Sequence, residues 1–225
     1  MELSKKHLDA GFFCTDTKTD RHFWGNEILL EFQGTLELGE DIVACPTIQY
    51  RYIAGGSIVK VNAYEGELPN TKREPSGYSG LFVAGDVQAP KSFRLLSGET
   101  IISVPNGHLG IVGIGVNVTS NNPERLVEFY TDVMQFKRIG EREVAAGETL
   151  IFVKEGEGGT NTSTFVGTGF RYLTLHVTDA DSALQEINDS GGKISMEPID
   201  YGSIARLGFV TDPDGNWIEV AHVNR

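Results

Sequence analysis

The stretch that decides the fold is Asp212-Pro213-Asp214-Gly215-Asn216-Trp217-Ile218-Glu219-Val220. Proline at the second position and glycine at the fourth position of a tight turn predict a hairpin corner over residues 212–215. The residues after this turn alternate, as expected for a strand, so Trp217 and Glu219 face one side and the aliphatic residues between and after them face the other. The sequence therefore places a carboxylate beside an aromatic ring on a strand whose opposite face is apolar.

The composition is that of an ordinary globular protein, with 40% hydrophobic and 22% charged residues among 225. This length allows one large domain or two small ones. The net charge of -12 argues against nucleic acid and anionic membrane surfaces as partners. No apolar run reaches the roughly 18 residues of a membrane span, and no secretory signal is visible. We therefore expect a cytoplasmic protein with no nucleic-acid or membrane partner.

The chain contains an internal repeat. A strand, a helix and a second strand follow Ala10, and the same order recurs from Ile114; Phe23-Trp24 in the first helix matches Phe129-Tyr130 in the second. The offset is 106 residues (129 − 23), about half the chain. A long internal period indicates two copies of one larger unit, joined here near residues 105–108.

Each half contains a further strand–helix–strand pattern. In the C-terminal half, a strand over 172–177 precedes a helix over 179–190, which Asp179 caps and Gly191-Gly192 ends. In the N-terminal half, the matching segment 88–92 is too short and too proline-broken for a full helix. The sequence thus predicts an α+β fold of four βαβββ-like modules, the second of which lacks most of its helix.

Two segments carry a family resemblance. Gly-Phe-Arg-Tyr-Leu-Thr-Leu-His-Val-Thr-Asp (169–179) and the strand, turn and strand over 207–219 resemble the vicinal-oxygen-chelate superfamily of glyoxalase I, bleomycin resistance proteins and extradiol dioxygenases. The resemblance is strong over 111–223 and moderate over 8–104. It implies paired modules that form curled, cup-shaped mixed sheets. We predict two glyoxalase-like domains, a degenerate one over 1–107 and a second over 108–225, with one cup in each.

The resemblance also implies where a metal would lie. When the superfamily holds a metal, its ligands are a residue near the start of a module's first strand and a Glu on its last strand. The corresponding residues here are Glu219 and Tyr172 in the last module, Gly113 in the third, and Asp9, Ser79 and Ile102 in the N-terminal half. A catalytic divalent site usually takes three protein ligands, which this set does not supply. No cofactor is therefore expected; the alternative is Fe, Mn, Ni or Zn bound by Glu219 and His176.

Strand alternation predicts which side chains face the cups. In the C-terminal half they are Gly113, Gly115, Asn117, Tyr172, Thr174, His176, Trp217 and Glu219, joined by Arg206. Glu219 and Arg206 either form an ion pair or leave Arg206 to hold a substrate carboxylate, in which case Glu219 is a candidate base of raised pKa. In the N-terminal half, Asp9 and Lys60 either neutralise each other or act as a base and an anion clamp.

Three functions are compatible with these residues. The first is metal-free binding of a small organic molecule in a cup, as in bleomycin-resistance members. The second is a metal-free acid–base isomerase or lyase, with Glu219 or Asp9 as base and Tyr172 or His176 as acid. The third is a metal-dependent glyoxalase-like lyase or extradiol-type dioxygenase. The sequence leaves open whether the chain is an enzyme and whether it is a monomer or a homodimer, and it predicts polar loops over 67–77 and 155–164, the latter a lid or an ordinary loop.

Overall fold

Four successive units follow one another along the chain, as the repeat predicts. The computed structural model describes residues 1–68, 77–157 and 164–224, and these residues form an α+β fold. Most of the two predicted polar loops, including the candidate lid, lies outside the described residues. Within the described residues, no helix is long and apolar enough to cross a membrane.

The first two units differ in their helical content. The first comprises β1 (Asp9–Cys14), α1 (Thr17–His22), β2 (Glu31–Leu38), β3 (Thr47–Ala54) and β4 (Ser57–Tyr64). The second comprises β5 (Tyr78–Gly85), β6 (Lys91–Arg94) and β7 (Thr100–Pro105). No helix lies between β5 and β6 in the fully described stretch 77–157, which confirms the predicted loss of the second module's helix.

The third and fourth units are complete. The third comprises β8 (Ile114–Ser120), α2 (Pro123–Glu128), β9 (Lys137–Arg138), β10 (Glu143–Ala146) and β11 (Thr149–Glu155). The fourth comprises β12 (Gly169–His176), α3 (Ala180–Asp189), β13 (Lys193–Tyr201), β14 (Ala205–Thr211) and β15 (Trp217–Val223). The predicted turn before β15 forms, with the Gly215 N–H donating to the Asp212 carbonyl at 2.9 Å and a φ of 83° at Gly215.

The helices begin and end as local chemistry dictates. The side chains of Asp16, Asn122 and Asp179 accept backbone N–H groups at the starts of α1, α2 and α3. Both α1 and α2 continue into one π-helical turn, Phe23–Glu27 and Phe129–Val133. Each turn opens with the aromatic pair that the repeat matched, so the repeat in the sequence is also a repeat in local structure.

The strands form two mixed sheets. The eight-stranded sheet has the order β13-β14-β15-β12-β1-β4-β3-β2, and the seven-stranded sheet has the order β6-β7-β5-β8-β11-β10-β9. The first unit is therefore paired with the fourth, through antiparallel β1 and β12, and the second with the third, through antiparallel β5 and β8. The expectation that each half of the chain forms its own cup is wrong, because each sheet takes strands from both halves.

Chain connectivity accounts for this pairing. The second and third units are joined by the short segment 106–113, so β5 and β8 can pair at little entropic cost. The first and fourth units then share the remaining sheet. The division into domains over 1–107 and 108–225 describes the repeat in the sequence and stays a prediction. The cups do not follow this division, because each sheet takes strands from both sides of the boundary.

The concave face of the seven-stranded sheet is filled by the chain itself. Ile111, fully buried, packs there with Ala84 and Val104. A Cβ built on Gly115 would lie 2.9 Å from the Ile111 side chain, so this glycine makes room for Ile111. The concave face of the eight-stranded sheet is therefore the better candidate for a ligand site.

Candidate functional site

A cavity of about 370 Å³ opens on the concave face of the eight-stranded sheet. Its wall comes from the first and fourth units, so neither half of the chain forms it alone. The apolar part of the wall includes Leu36, Leu38, Ile42, Phe165, Leu207 and Phe209. The polar part comprises Gln49, Arg51, Lys60, Tyr172, His176 and Glu219, together with Gln33 and Thr35 on β2. An apolar wall with a few placed polar groups is typical of a small-molecule pocket.

Lys60 and Glu219 lie at equivalent positions of the two units. Lys60 on β4 lies opposite Gly11 of β1, and Glu219 on β15 lies opposite Thr174 of β12. In each unit the last strand runs parallel beside the first strand. Because the two first strands, β1 and β12, pair with each other, the side chains of Lys60 and Glu219 face each other across them. The Lys60 Nζ donates to Glu219 Oε2 and to Thr174 Oγ1, both at 2.7 Å. The pairing of the two units thus creates a buried ion pair in the cup.

The charge of Lys60 decides the protonation of Glu219. The side chains are nearly inaccessible, with Lys60 6% and Glu219 8% exposed. Burial by itself raises the pKa of Glu219, but the charge of Lys60 and hydrogen bonds from Lys60 and Thr174 outweigh burial and leave the pKa below its usual value. The predicted raised pKa of Glu219 is therefore wrong, because that prediction paired Glu219 with Trp217 and not with Lys60.

A second charged cluster surrounds Asp9. This fully buried carboxylate accepts the Ile58 N–H at 2.7 Å, contacts His176 Nε2 at 2.7 Å and forms an ion pair with Lys5. Burial opposes its ionisation, but the hydrogen bond to His176 and the charges of Lys60, His176 and Lys5 together hold the pKa of Asp9 well below its usual value. The predicted direct pairing of Asp9 with Lys60 is wrong, since each has a closer partner of opposite charge.

A chain of amides links the aromatic floor to an arginine. Asn62 donates to the Tyr172 hydroxyl at 3.2 Å, and Gln49 donates to Asn62 at 3.0 Å. The Arg51 guanidinium donates to Gln49 at 2.8 Å and to Gln33 at 3.0 Å. Burial, and then the charge of Glu219, raise the pKa of Tyr172, so this phenol is neutral and a weak acid.

The cup does not fit a divalent metal. In this pair of units, the positions that the superfamily resemblance assigns to ligands are occupied by Asp9, Tyr172 and Glu219, and Lys60 lies at the position equivalent to Glu219. Among the described residues, no three His, Cys, Asp or Glu side chains gather around a common point. The Lys60 ammonium itself lies against the carboxylate that a metal would need. The Lys60 ammonium has no electron pair to donate, and a phenol that stays protonated is a poor ligand, so two of these four residues are unsuited to a divalent metal.

The structure brings most of the predicted site residues together. Thr174, Tyr172, His176, Glu219, Asp9 and Lys60 lie in this cup or directly beneath its surface. Trp217 packs below the cavity against Phe165 and Phe209, with ring centroids 5.7 and 5.8 Å away. Asn117 lies on β8, in the other sheet.

Arg206 is the clearest correction. It forms ion pairs with Asp181 of α3 and with Asp200 of β13. Because α3 packs on the convex side of the sheet, Arg206 faces away from the cavity, and its neighbours Leu207 and Phe209 line the wall instead. The predicted Arg206–Glu219 ion pair is wrong, and so is the placement of Arg206 in the cup.

Sequence reasoning missed Arg51, Gln49 and Phe165. For the first two a signal existed, because the two-residue loop Gly55-Gly56 fixes the register of β3 against β4. That register sets Arg51 opposite Lys60 and Gln49 opposite Asn62. Phe165 had no such signal, because it follows a glycine-rich segment and reaches the cavity by tertiary packing, stacked on Phe209 at 4.4 Å.

Comparison with known proteins agrees with this geometry. The family model of the Glyoxalase/Bleomycin resistance protein/Dioxygenase superfamily matches residues 113–220. A probable lactoylglutathione lyase of Vibrio parahaemolyticus is 30% identical over 111 residues, a match that covers 43% of this chain and 80% of that protein. The chain belongs to this glyoxalase superfamily.

Other glyoxalase-superfamily relatives differ in how much they share. A lactoylglutathione lyase of Arabidopsis thaliana is 28% identical over 110 residues, a match that covers 43% of this chain and only 39% of the plant protein. The structure of glyoxalase I from Zea mays aligns with a TM-score of 0.72 at 12% identity, over 98% of this chain and 92% of that chain. The structure of a putative dioxygenase from Bacillus subtilis aligns with a TM-score of 0.68 at 12% identity, over 100% of this chain and 86% of that chain. At these identities the structures share the fold of the glyoxalase superfamily.

Proposed function

We propose that this glyoxalase-superfamily member binds a small organic molecule in the cup of the eight-stranded sheet and does so without a divalent metal. The observation that carries the proposal is the position of Lys60, whose ammonium lies 2.7 Å from both Glu219 Oε2 and Thr174 Oγ1 at the base of the cavity. Lys60 supplies a positive charge at the position of the first unit that is equivalent to Glu219 in the fourth. Aromatic and aliphatic walls supply the apolar contact area.

Ligand screening in the presence of a chelator tests this function. We expect small organic molecules to raise the melting temperature of the protein in EDTA, and we expect titration calorimetry to confirm one-to-one binding. Ala221→Phe is the blocking variant, because Ala221 lines the cavity and is 4% exposed. Binding should be lost in Ala221→Phe while its circular dichroism spectrum stays that of the native protein. Binding that survives this substitution would place the ligand elsewhere and contradict the proposal.

A second candidate function, a metal-free acid–base isomerase or lyase, is favoured by the contact between His176 and Asp9. In the tautomer in which Nε2 donates to Asp9, the other ring nitrogen of His176 is free to accept a proton. His176 lines the cavity, and Asp9 stabilises the imidazolium that would form. Glu219, held ionised by Lys60, is the weaker base of the two. The dyad would take a proton from carbon next to a carbonyl group and return it to the same ligand.

Deuterium exchange tests the second candidate. Proton NMR of carbonyl compounds in heavy water, with catalytic amounts of protein, should show exchange of the α-proton that His176→Gln abolishes. Exchange at the same rate in His176→Gln would rule out this role. The third candidate, a metal-dependent lyase or extradiol-type dioxygenase, has no comparable support from the cup, since its residues do not fit a divalent metal.

A further inference from the structure

Within residues 1–68, 77–157 and 164–224, one charged group of the cup has no counter-charge. Lys60 is paired with Glu219, and Lys5 is paired with Asp9. Arg51 also lines the cavity, and among the residues the structure describes it forms no ion pair. The unpaired guanidinium leaves the cup with one excess positive charge when His176 is neutral.

Two neutral amides hold this guanidinium in place. The Oε1 atoms of Gln33 and Gln49 accept from its Nε and Nη1 at 3.0 and 2.8 Å. Gln49 is in turn fixed by Asn62, whose amide donates to the backbone carbonyl of Phe12 at 2.8 Å. The network therefore orients the guanidinium without neutralising it. Orientation before binding lowers the entropic cost of recognising an anion.

The position of Arg51 suits the polar end of an elongated ligand. Arg51 and His176 both line the 370 Å³ cavity and also a neighbouring groove of about 750 Å³, so they lie where the two meet. Inside the cavity, Phe165, Phe209 and Leu207 form the apolar wall. A ligand with its apolar body against this wall would present its other end to Arg51.

We propose that the ligand carries a carboxylate, that Arg51 binds this carboxylate, and that an aromatic or branched apolar body of the ligand fills the cavity against Phe165 and Phe209. The planar guanidinium matches a carboxylate in geometry and charge. The inference rests on the proposed function, because it names the class of molecule that the same cup takes.

A pair of isosteric probes tests the inference. Titration calorimetry on the full chain would compare 1-naphthylacetate, which is charged, with 1-naphthylacetamide, which has the same shape and no charge. We expect the native protein to bind the acid about ten-fold or more tighter than the amide. Arg51→Gln should remove this preference while leaving the affinity for the amide within about two-fold. Arg51→Lys should retain part of the preference, because it keeps the charge and loses the planar fork.

The control is Arg142→Gln, which removes one positive charge from a partly exposed site beside the other sheet, where Arg142 pairs with Glu124 and Glu155. It should leave both affinities unchanged. Equal binding of both probes by the native protein would overturn the carboxylate inference and leave the proposed function standing, as would an equal loss of both in Arg51→Gln. Failure of both probes to bind the native protein would count against the cup as a ligand site, and so against the proposed function itself.

Discussion

Replacing Lys60 with methionine removes the one cation that contacts Glu219 directly among the described residues. At a separation of 2.7 Å and an effective dielectric constant of about 20, the attraction between the two charges is about 6 kcal/mol, which offsets the several kcal/mol that each ion loses on leaving water. In Lys60→Met, the hydroxyl of Thr174 is the hydrogen-bond donor that Glu219 keeps within the described part of the chain. Breaking a buried pair in this way costs about 3–5 kcal/mol. We expect a loss of that size in the free energy of unfolding at pH 7.5.

The pH dependence of stability should reverse in the variant. In the native protein the pKa of Glu219 is lowered, so its stabilisation is present above the unfolded value of 4.5 and is lost as the pH falls through the folded value. Burial is the strongest single influence on the pKa of Glu219, so we expect that pKa to rise above its ordinary value once Lys60 is removed. The variant should then lose stability as the pH rises from about 4.5 to 7.5, because an unpaired buried carboxylate must ionise. The contribution of Glu219 to the change of the free energy of unfolding with pH therefore has opposite signs in the two proteins.

Urea denaturation at pH 3.5, 5.0 and 7.5 measures both effects, because the native slope lies below pH 4.5 and the slope of the variant lies above it. The proteins compared are the native protein, Lys60→Met, Glu219→Met, the double variant and the control Lys154→Met. Lys154 is an exposed lysine on β11, so its replacement should change the free energy of unfolding by less than about 0.5 kcal/mol. The double variant should be far more stable than the sum of the two single effects predicts, with a coupling energy of about 3 kcal/mol, since apolar residues tolerate burial. Additive single effects would refute the buried ion pair.

Three further outcomes are expected. Burial raises the pKa of Asp212 from 3.8 to about 6, so the native protein should lose about 3 kcal/mol of stability as the pH rises through that range, and Asp212→Asn should flatten this slope in urea titrations. Phe165→Ala should lower the free energy of unfolding by about 3–5 kcal/mol and weaken ligand binding, because it removes the ring stacked on Phe209; equal affinity by calorimetry would exclude Phe165 from the wall. Arg206→Gln should leave ligand affinity within about two-fold, and a larger loss would return Arg206 to the cup.

Much of the fold follows from local sequence. Alternation after the 212–215 turn correctly predicts that Ile218 and Val220 enter the core while Glu219 faces the cup. The same turn sets Phe209 opposite Glu219, which places Leu207 and Phe209 on the cup face and Arg206 on the other. The error over Arg206 came from assuming that a polar residue must face a binding cup, when α3 offers it Asp181 on the convex side.

The composition of the cup could not be predicted in the same way. The pairing of Lys60 with Glu219 joins residues 159 positions apart and depends on which units share a sheet. The sequence of the first unit alone does not indicate whether that unit pairs with the second unit or with the fourth. The burial of Lys60 against a carboxylate and the lowered pKa of Glu219 both follow from that choice.

Elemental metal analysis of protein purified without chelators or an affinity tag tests the central claim most directly, with Glu219→Gln as the matched variant. We expect far less than one equivalent of Fe, Mn, Ni or Zn in either protein, together with ligand binding that is unaffected by EDTA. Stoichiometric metal in the native protein that is lost in Glu219→Gln would contradict the account, because Glu219 would then be a metal ligand and not the partner of Lys60.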